Sequence, residues 1–385
     1  MRYLRAILST PLLAILLLTP PAGLASTIAE AEKTFTIDAS DDQPPSPLVI
    51  HGALDIEHIA PLLEAFHRRH PHINITYRNL ETLFLYERFM EAPDEVDVLI
   101  SSAMPWQYRL ANDGHAQPLD SPVARAWPAQ ARWRHELFAF TFEPVVMVVH
   151  RELTQRYGHP SGHTELLTLL ETHSEALRGR VVTYNPAISG AGYSYAIQEA
   201  ELSPRYWDLV AAFGDVETKL VNTTSAMLKG LQEGRFWVGY NLLGSYAWPV
   251  VEASPDLEMI IPEDYALVTQ RSALIPRLAP NPDNARAFMD FLLGQAGQTV
   301  LARQTSLGAL HPMLTGEGSA TELRRLRGDA LRPLALTPGL LATLDDLKRQ
   351  ALLQRWQREF APAAAFSRTE QAERLDATKQ DGTLE

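Results

Sequence analysis

The 385-residue sequence contains no cysteine. That single absence excludes a disulfide framework, thiolate metal sites, a cysteine nucleophile and a lipid-anchoring cysteine. A chain without thiols cannot mispair in an oxidising compartment, so the composition suits export. Basic charge is short as well: 34 Lys and Arg stand against 46 Asp and Glu, a formal net charge of −12. So acidic a surface fits neither nucleic acid nor an anionic membrane as the main partner. Catalytic signatures are missing too, with no HExxH, GxSxG, Walker loop or SxxK motif. Gly190-Ala191-Gly192 begins a GxG, but Tyr195 stands where a dinucleotide fingerprint needs a small residue. No enzyme activity, cofactor or resident metal is expected.

Long apolar runs are equally scarce. The first, Ala6 to Leu18, is broken by Ser9, Thr10 and Pro11, follows Arg2 and Arg5, and ends before Pro20-Pro21. It falls short of the roughly 20 apolar residues that a spanning helix needs. Gly23 and Ala25 supply small residues at −3 and −1 before Ser26, completing the order of parts of a cleavable secretory signal. Residues 1–25 therefore read as a signal peptide and the mature chain as a soluble periplasmic monomer that meets the membrane only through a partner. Its remaining 360 residues suit two domains. The polar, Pro-rich stretch 26–47 reads as a flexible leader and 361–385 as a tail.

Between them strands and helices alternate. Leu48-Val49-Ile50 is a short buried strand, and Ile56, Ile59, Leu62, Leu63 and Phe66 recur at helical spacing, with Pro61 demanding a late start or a kink. Further strands fall at 72–77, 96–100, 181–184 and 236–240. Helices are expected over 164–177, from Gly190, over 225–233, 285–301 and 340–356. Such alternation implies α/β architecture with mostly parallel sheets flanked by helices. The apolar run Phe142 to His150 reads as a strand crossing between lobes, with a return near Tyr265 to Leu274. Lobe 1 is then 48–145 with 262–360, including the C-terminal helices, and lobe 2 is 146–261.

Three turns place hydroxyls or glycines where a strand hands over to a helix: Ser101-Ser102, Ser189-Gly190-Ala191-Gly192, and Thr223-Thr224-Ser225 after Asn222. Free N–H groups and the helix dipole make such turns anion sites, and glycine lets a ligand approach the backbone. Each one alone reads as an ordinary N-cap. As a set spread over two lobes they point to a cleft at the carboxyl ends of the strands. His51 and Asp55 follow the first strand and face the same cleft in this reading. Tyr240, Asn241 and Ser245 offer either core packing or a ligand wall with polar tips. The early histidines His58, His67, His70 and His72 lack convergent metal spacing and read as surface.

Taken in order, these residues resemble a known family. Leu48 to Asp55 followed by Pro61 to Phe66 is similar to the opening of type 2 periplasmic solute-binding proteins, especially the ferric-iron and phosphosugar branch. Asp97 to Ser102, Phe142 to Val146, Asn185-Pro186 with Ser189-Gly190 and Gly192-Tyr193, and Gly239-Tyr240-Asn241 follow in the same order. The resemblance implies two lobes, a hinge of crossing strands and closure over a solute delivered to an ABC permease. Leu334 to Arg358, with Pro338-Gly339-Leu340-Leu341, resembles members paired with sensor kinases, the phosphoglycerate-transport regulatory proteins, which implies an extracytoplasmic sensor as the alternative partner. The iron-binding members hold ferric ion with adjacent tyrosines, and no Tyr-Tyr pair occurs here. A phosphate- or carboxylate-bearing solute is expected in preference to iron, and a secreted hydrolase is the more distant alternative.

Overall fold

The computed structural model describes residues 33–40 and 44–361. The expected signal peptide, and the tail beyond its first residue, lie outside them. In chain order the strands are β1 (Lys33–Ile37), β2 (Ser46–Gly52), β3 (Ile73–Asn79), β4 (Val98–Ser101), β5 (Ala116–Gln117), β6 (Arg132–Trp133), β7 (Leu137–Ala139) and β8 (Glu143–His150). They continue as β9 (Val181–Tyr184), β10 (Lys219–Val221), β11 (Val238–Leu243), β12 (Leu257–Ile260), β13 (Ala266–Thr269), β14 (Ser272–Pro276) and β15 (Leu331–Pro333).

Two sheets result, one per lobe. The first runs β1-β3-β2-β4-β14-β7-β6, with β5 beside β14, and the second β10-β9-β11-β8-β13-β15, with β12 beside β8. Parallel pairing is concentrated in β3-β2-β4 and β10-β9-β11. Both sheets are therefore mixed, because β8 and β14 arrive from the crossings and pair antiparallel with their neighbours, while β13 is antiparallel to β8 and parallel to β15. The apolar run of β8 follows from its place: it is flanked by β11, β12 and β13, and Val145 to Val149 are all buried.

The chain changes sheet between β7 and β8 and again at Gln270-Arg271, between β13 and β14. The second crossing thus comes later than the expected boundary at 262. Helix Ile56–His67 turns Ile59, Leu62, Leu63 and Phe66 inward and contains Pro61 without a break in its assignment. The expected helix over 285–301 divides into Pro282–Leu293 and Gln295–Gln304 at Gly294, where a Cβ would lie 2.7 Å from the Asp290 carbonyl. The one over 340–356 divides into Gly339–Thr343 and Asp346–Phe360.

Two segments depart from the expected organisation. Lys33–Ile37, within the supposed flexible leader, is an ordered strand paired residue for residue with β3, and Ser46 and Pro47 already belong to β2. The C-terminal segment does not belong to lobe 1 alone. β15 joins the second sheet beside β13, helix Gly339–Thr343 packs on helix Met104–Asn112 of lobe 1, and helix Asp346–Phe360 packs on helix Tyr206–Asp215 of lobe 2. Leu344 shares one apolar cluster with Ala103 and Trp106 of lobe 1 and Tyr193 and Ile197 of lobe 2. The segment is a strap over both lobes. Among the described residues no helix is long and apolar enough to cross a membrane.

Candidate functional site

A cavity of about 250 Å³ lies between the lobes, where the strand ends of both sheets meet. β2 delivers Ala53 and Asp55, β3 delivers Asn79 to Thr82, and β4 delivers Ser102. From lobe 2, β9 leads to Ser189 and Ala191, β10 to Asn222 through Ser225, and β11 to Leu243 and Tyr246. Lining a cleft with strand carboxyl ends is the expected geometry of α/β ligand sites. Helices Thr82–Glu91, Met104–Asn112, Gly190–Leu202 and Thr224–Gln232 all begin at this wall, so their dipoles converge there.

Cross-lobe bonds hold this form closed. Asp55 accepts from Asn79 of its own lobe at 3.0 Å and from the Ser225 hydroxyl of lobe 2 at 2.6 Å. The Asp55 N–H donates to the Tyr246 hydroxyl at 2.9 Å, and burial pushes that phenol well above its usual range. The Gly190 N–H donates to Thr82 Oγ1 of lobe 1 at 3.0 Å. Glu81, raised by burial and held back by Asn222 across the cleft, adds a second carboxylate to the wall.

Arg271 forms the floor. Its side chain is fully buried at the second crossing, and Nη1 donates to the Ala53 carbonyl at 2.6 Å. Glu143, at the start of β8 beside the first crossing, lies 3.0 Å from Nε, though without the alignment of a hydrogen bond, and accepts from Nη2 at 3.4 Å. Burial opposes the guanidinium charge, but Glu143 outweighs it and holds Arg271 above its ordinary range. Thr141 and Ser245 hydroxyls donate to the remaining positions on Glu143. The buried pair ties the two crossings together under the cleft.

Half of the residues singled out from sequence line this cavity: Asp55, Ser102, Ser189, Ala191, Thr223, Thr224 and Ser225. Ser189 and Thr223 also cap their helices, accepting from Gly192 and Ala226, so cap and cleft wall are one arrangement. Thr224 is engaged by the Tyr184 hydroxyl at 2.5 Å. Gly190 meets lobe 1 instead of open cavity: a Cβ there would lie 3.0 to 3.1 Å from Thr82, Ala103 and Leu83. Ser101 turns back to accept from the Ala103 N–H.

Three expectations are corrected. His51 lies within β2, which runs on to Gly52, so its ring points off a sheet face into lobe 1, buried, with neither nitrogen partnered. Burial first, then Arg78 and Arg88, lower its pKa to about 4. Tyr240 and Asn241 lie inside β11, which continues to Leu243, and a register shift with Asn241 at φ 63° turns both toward helix Gly190–Leu202. There they donate to buried Glu199 at 2.7 and 3.1 Å and, with Gly192, border a separate cavity of about 20 Å³. Ser245 is spent on Glu143. Lys33, Thr82, Tyr184, Tyr246 and Arg271 line the cleft and were not among the expected site residues.

Closure at Gly190 yields a direct expectation. Gly190→Val should abolish most of the ligand-induced compaction seen by small-angle scattering, since its methyls meet Thr82 and Leu83 before the lobes close. An unchanged scattering response in that variant would remove this contact from the closing movement.

A family model for bacterial extracellular solute-binding proteins matches residues 56–304. Among solved structures, the substrate-binding protein of an ABC transporter from Agrobacterium tumefaciens is 34% identical, with a TM-score of 0.82, over 86% of this chain and 98% of that one. Iron-bound HitA from Pseudomonas aeruginosa (16% identity, TM-score 0.65, 82% of this chain and 99% of that one) shares the fold. So does AfuA from Actinobacillus pleuropneumoniae with fructose-6-phosphate bound (16%, TM-score 0.66, 82% and 98%). No curated protein matches the chain. With a cleft between two sheets, a family model over most of the described chain and a relative 34% identical over 86% of this chain, the chain belongs to the bacterial extracellular solute-binding proteins.

Proposed function

We propose that the chain captures a small phosphate- or carboxylate-bearing solute in the periplasm and presents it, lobes closed, to an ABC permease. The convergence of four helix N-termini from both lobes on one cavity, above the buried Arg271, carries the reading. Those N–H donors favour an anion. Asp55 and Glu81 on the same wall are acceptors, and they favour a solute that also carries hydroxyl donors. The fructose-6-phosphate held by the AfuA structure has that combination, although likeness at 16% identity supports the fold alone. Against ferric ion, Tyr240 is turned to Glu199 beside the other cavity, and the two phenols on the cleft wall, Tyr184 and Tyr246, are engaged by Thr224 and the Asp55 N–H.

A thermal-shift screen with sugar phosphates, phosphoglycerates, tricarboxylates, ferric ion and polyamines tests this. A ligand at 100 times its dissociation constant adds about 2.7 kcal/mol of stability. The expected best ligands are hydroxylated phosphates or carboxylates; ferric ion or a polyamine giving the largest shift overturns the reading. A sensor kinase as partner has one observation in its favour: the C-terminal strap touches both lobes, so its surface changes when they close. Capture of a kinase's extracytoplasmic domain by the ligand-loaded protein alone would establish it.

A further inference from the structure

Edge strand β1 runs antiparallel to β3, which places its amino end at the cleft, where the parallel strands have their carboxyl ends. The register sets Lys33 directly opposite Asn79, Phe35 opposite Tyr77 and Ile37 opposite Ile75. Cross-strand partners share a face, so Lys33 stands on the side where the Asn79 amide holds Asp55. Phe35 and Ile37 pack against the core and anchor the strand, while Lys33 itself is exposed and lines the cleft.

The charges on the wall give this position its weight. Four charged side chains line the cavity: Lys33, Asp55, Glu81 and Arg271. Arg271 is neutralised from behind by Glu143. Without Lys33, a solute touching lobe 1 would meet two carboxylates and no free positive charge. Among the described residues no ion pair engages Lys33. It is also the sole lysine in the first 218 residues, where every other cationic side chain of fixed charge is arginine.

We propose that Lys33 is a specificity-determining residue of the cleft: its ammonium pairs with the anionic group of the bound solute and sets the preference for charged over uncharged solutes. This rests on the anionic-solute reading, and the test separates the two. The chain has five lysines, so reductive ¹³C-methylation, which keeps their charge, gives a sparse spectrum. The Lys33 resonance is the one missing in Lys33→Gln. The probes are inorganic phosphate and fructose 6-phosphate, titrated into the full chain alongside its ¹⁵N-labelled form.

The Lys33 resonance should move with the same midpoint as the backbone amides of residues 189–191 and 223–225. Lys33→Gln should weaken fructose 6-phosphate binding roughly two- to fivefold, as expected for an exposed charge pair, and Lys33→Arg should recover most of it. If the amides move while the Lys33 resonance stays fixed and Lys33→Gln binds as the parent does, the inference fails and the anion reading stands. If neither amides nor lysine respond to either probe at saturating concentration, both fail.

Discussion

Replacing Arg271 by methionine should lower the unfolding free energy by about 3–5 kcal/mol, the cost of leaving a buried charge without its partner. The stranded group would be Glu143, which is fully buried. Its Thr141 and Ser245 donors remain but bring no positive charge. Methionine keeps much of the stem that packs under Tyr246, whose ring centroid lies 5.5 Å from the guanidinium carbon. The loss should therefore report the charge and the bond to the Ala53 carbonyl more than a cavity. The double variant Arg271→Met with Glu143→Gln should recover part of the stability, because no unpaired charge is then left in the hinge. Urea denaturation of the parent, both single variants and the double variant measures the coupling. Strict additivity of the two single changes would show that the pair does not act as a unit.

That pair also explains why the hinge is built as it is. Each crossing contributes one member, so lobe rotation bends the chain around a fixed charge centre instead of separating it. The bonds from Ser225 to Asp55 and from Gly190 to Thr82 run between the lobes, so parting the lobes would break them. In the proposed function a solute spanning the same wall would replace them, and closure would follow from its greater affinity for the closed form. The C-terminal strap adds a constraint: its apolar contacts reach Trp106 on one lobe and Tyr193 and Ile197 on the other. Opening must loosen this cluster as well as the cleft.

How much of this was legible in sequence depended on whether the signal was local. Ser189 and Thr223 declared themselves because a hydroxyl after a strand and before a helix is both a cap and a strand end. His51 and Tyr240 misled because their strands run past them, β2 to Gly52 and β11 to Leu243, and a residue inside a strand points off a face and not along its end. Tyr246 gains its place through its contact with Asp55, across 191 residues of chain. Lys33 was obscured by its neighbourhood: the acidic, Pro-rich stretch 41–47 reads as disorder, although Thr34-Phe35-Thr36-Ile37 alternates as an edge strand does. The Arg271–Glu143 pair joins residues 128 apart, and no local pattern announces such a partner.

Two buried histidines, one per lobe, should give the protein a stability maximum near pH 6.5. His51 in lobe 1 has a folded-state pKa of about 4, below the ordinary 6.5, because burial and then Arg78 and Arg88 disfavour its charge. Its neutral form is the one the fold accepts, so the stability it permits is full above pH 6.5 and falls as pH drops toward 4, by about 3 kcal/mol. Burial likewise lowers His58, His70 and His311, which adds to this acid limb. His163 in lobe 2 has the opposite sign. Burial disfavours its charge, but hydrogen bonds donated to Asp264, 2.9 Å from Nδ1, and Glu199, 3.5 Å from Nε2, prevail and raise it to about 9. Its ring also stacks on Tyr265, 4.0 Å between centroids. The imidazolium is the form the fold prefers, so its contribution is complete below pH 6.5 and is lost as pH rises through 9, again by about 3 kcal/mol. Urea midpoints measured from pH 4.5 to 9.5 should trace this arch. His51→Gln should flatten the acid limb and leave the alkaline one, and His163→Gln should do the reverse at a lower overall stability. If the acid limb survives in His51→Gln with its full depth, another buried group carries the acid sensitivity of lobe 1.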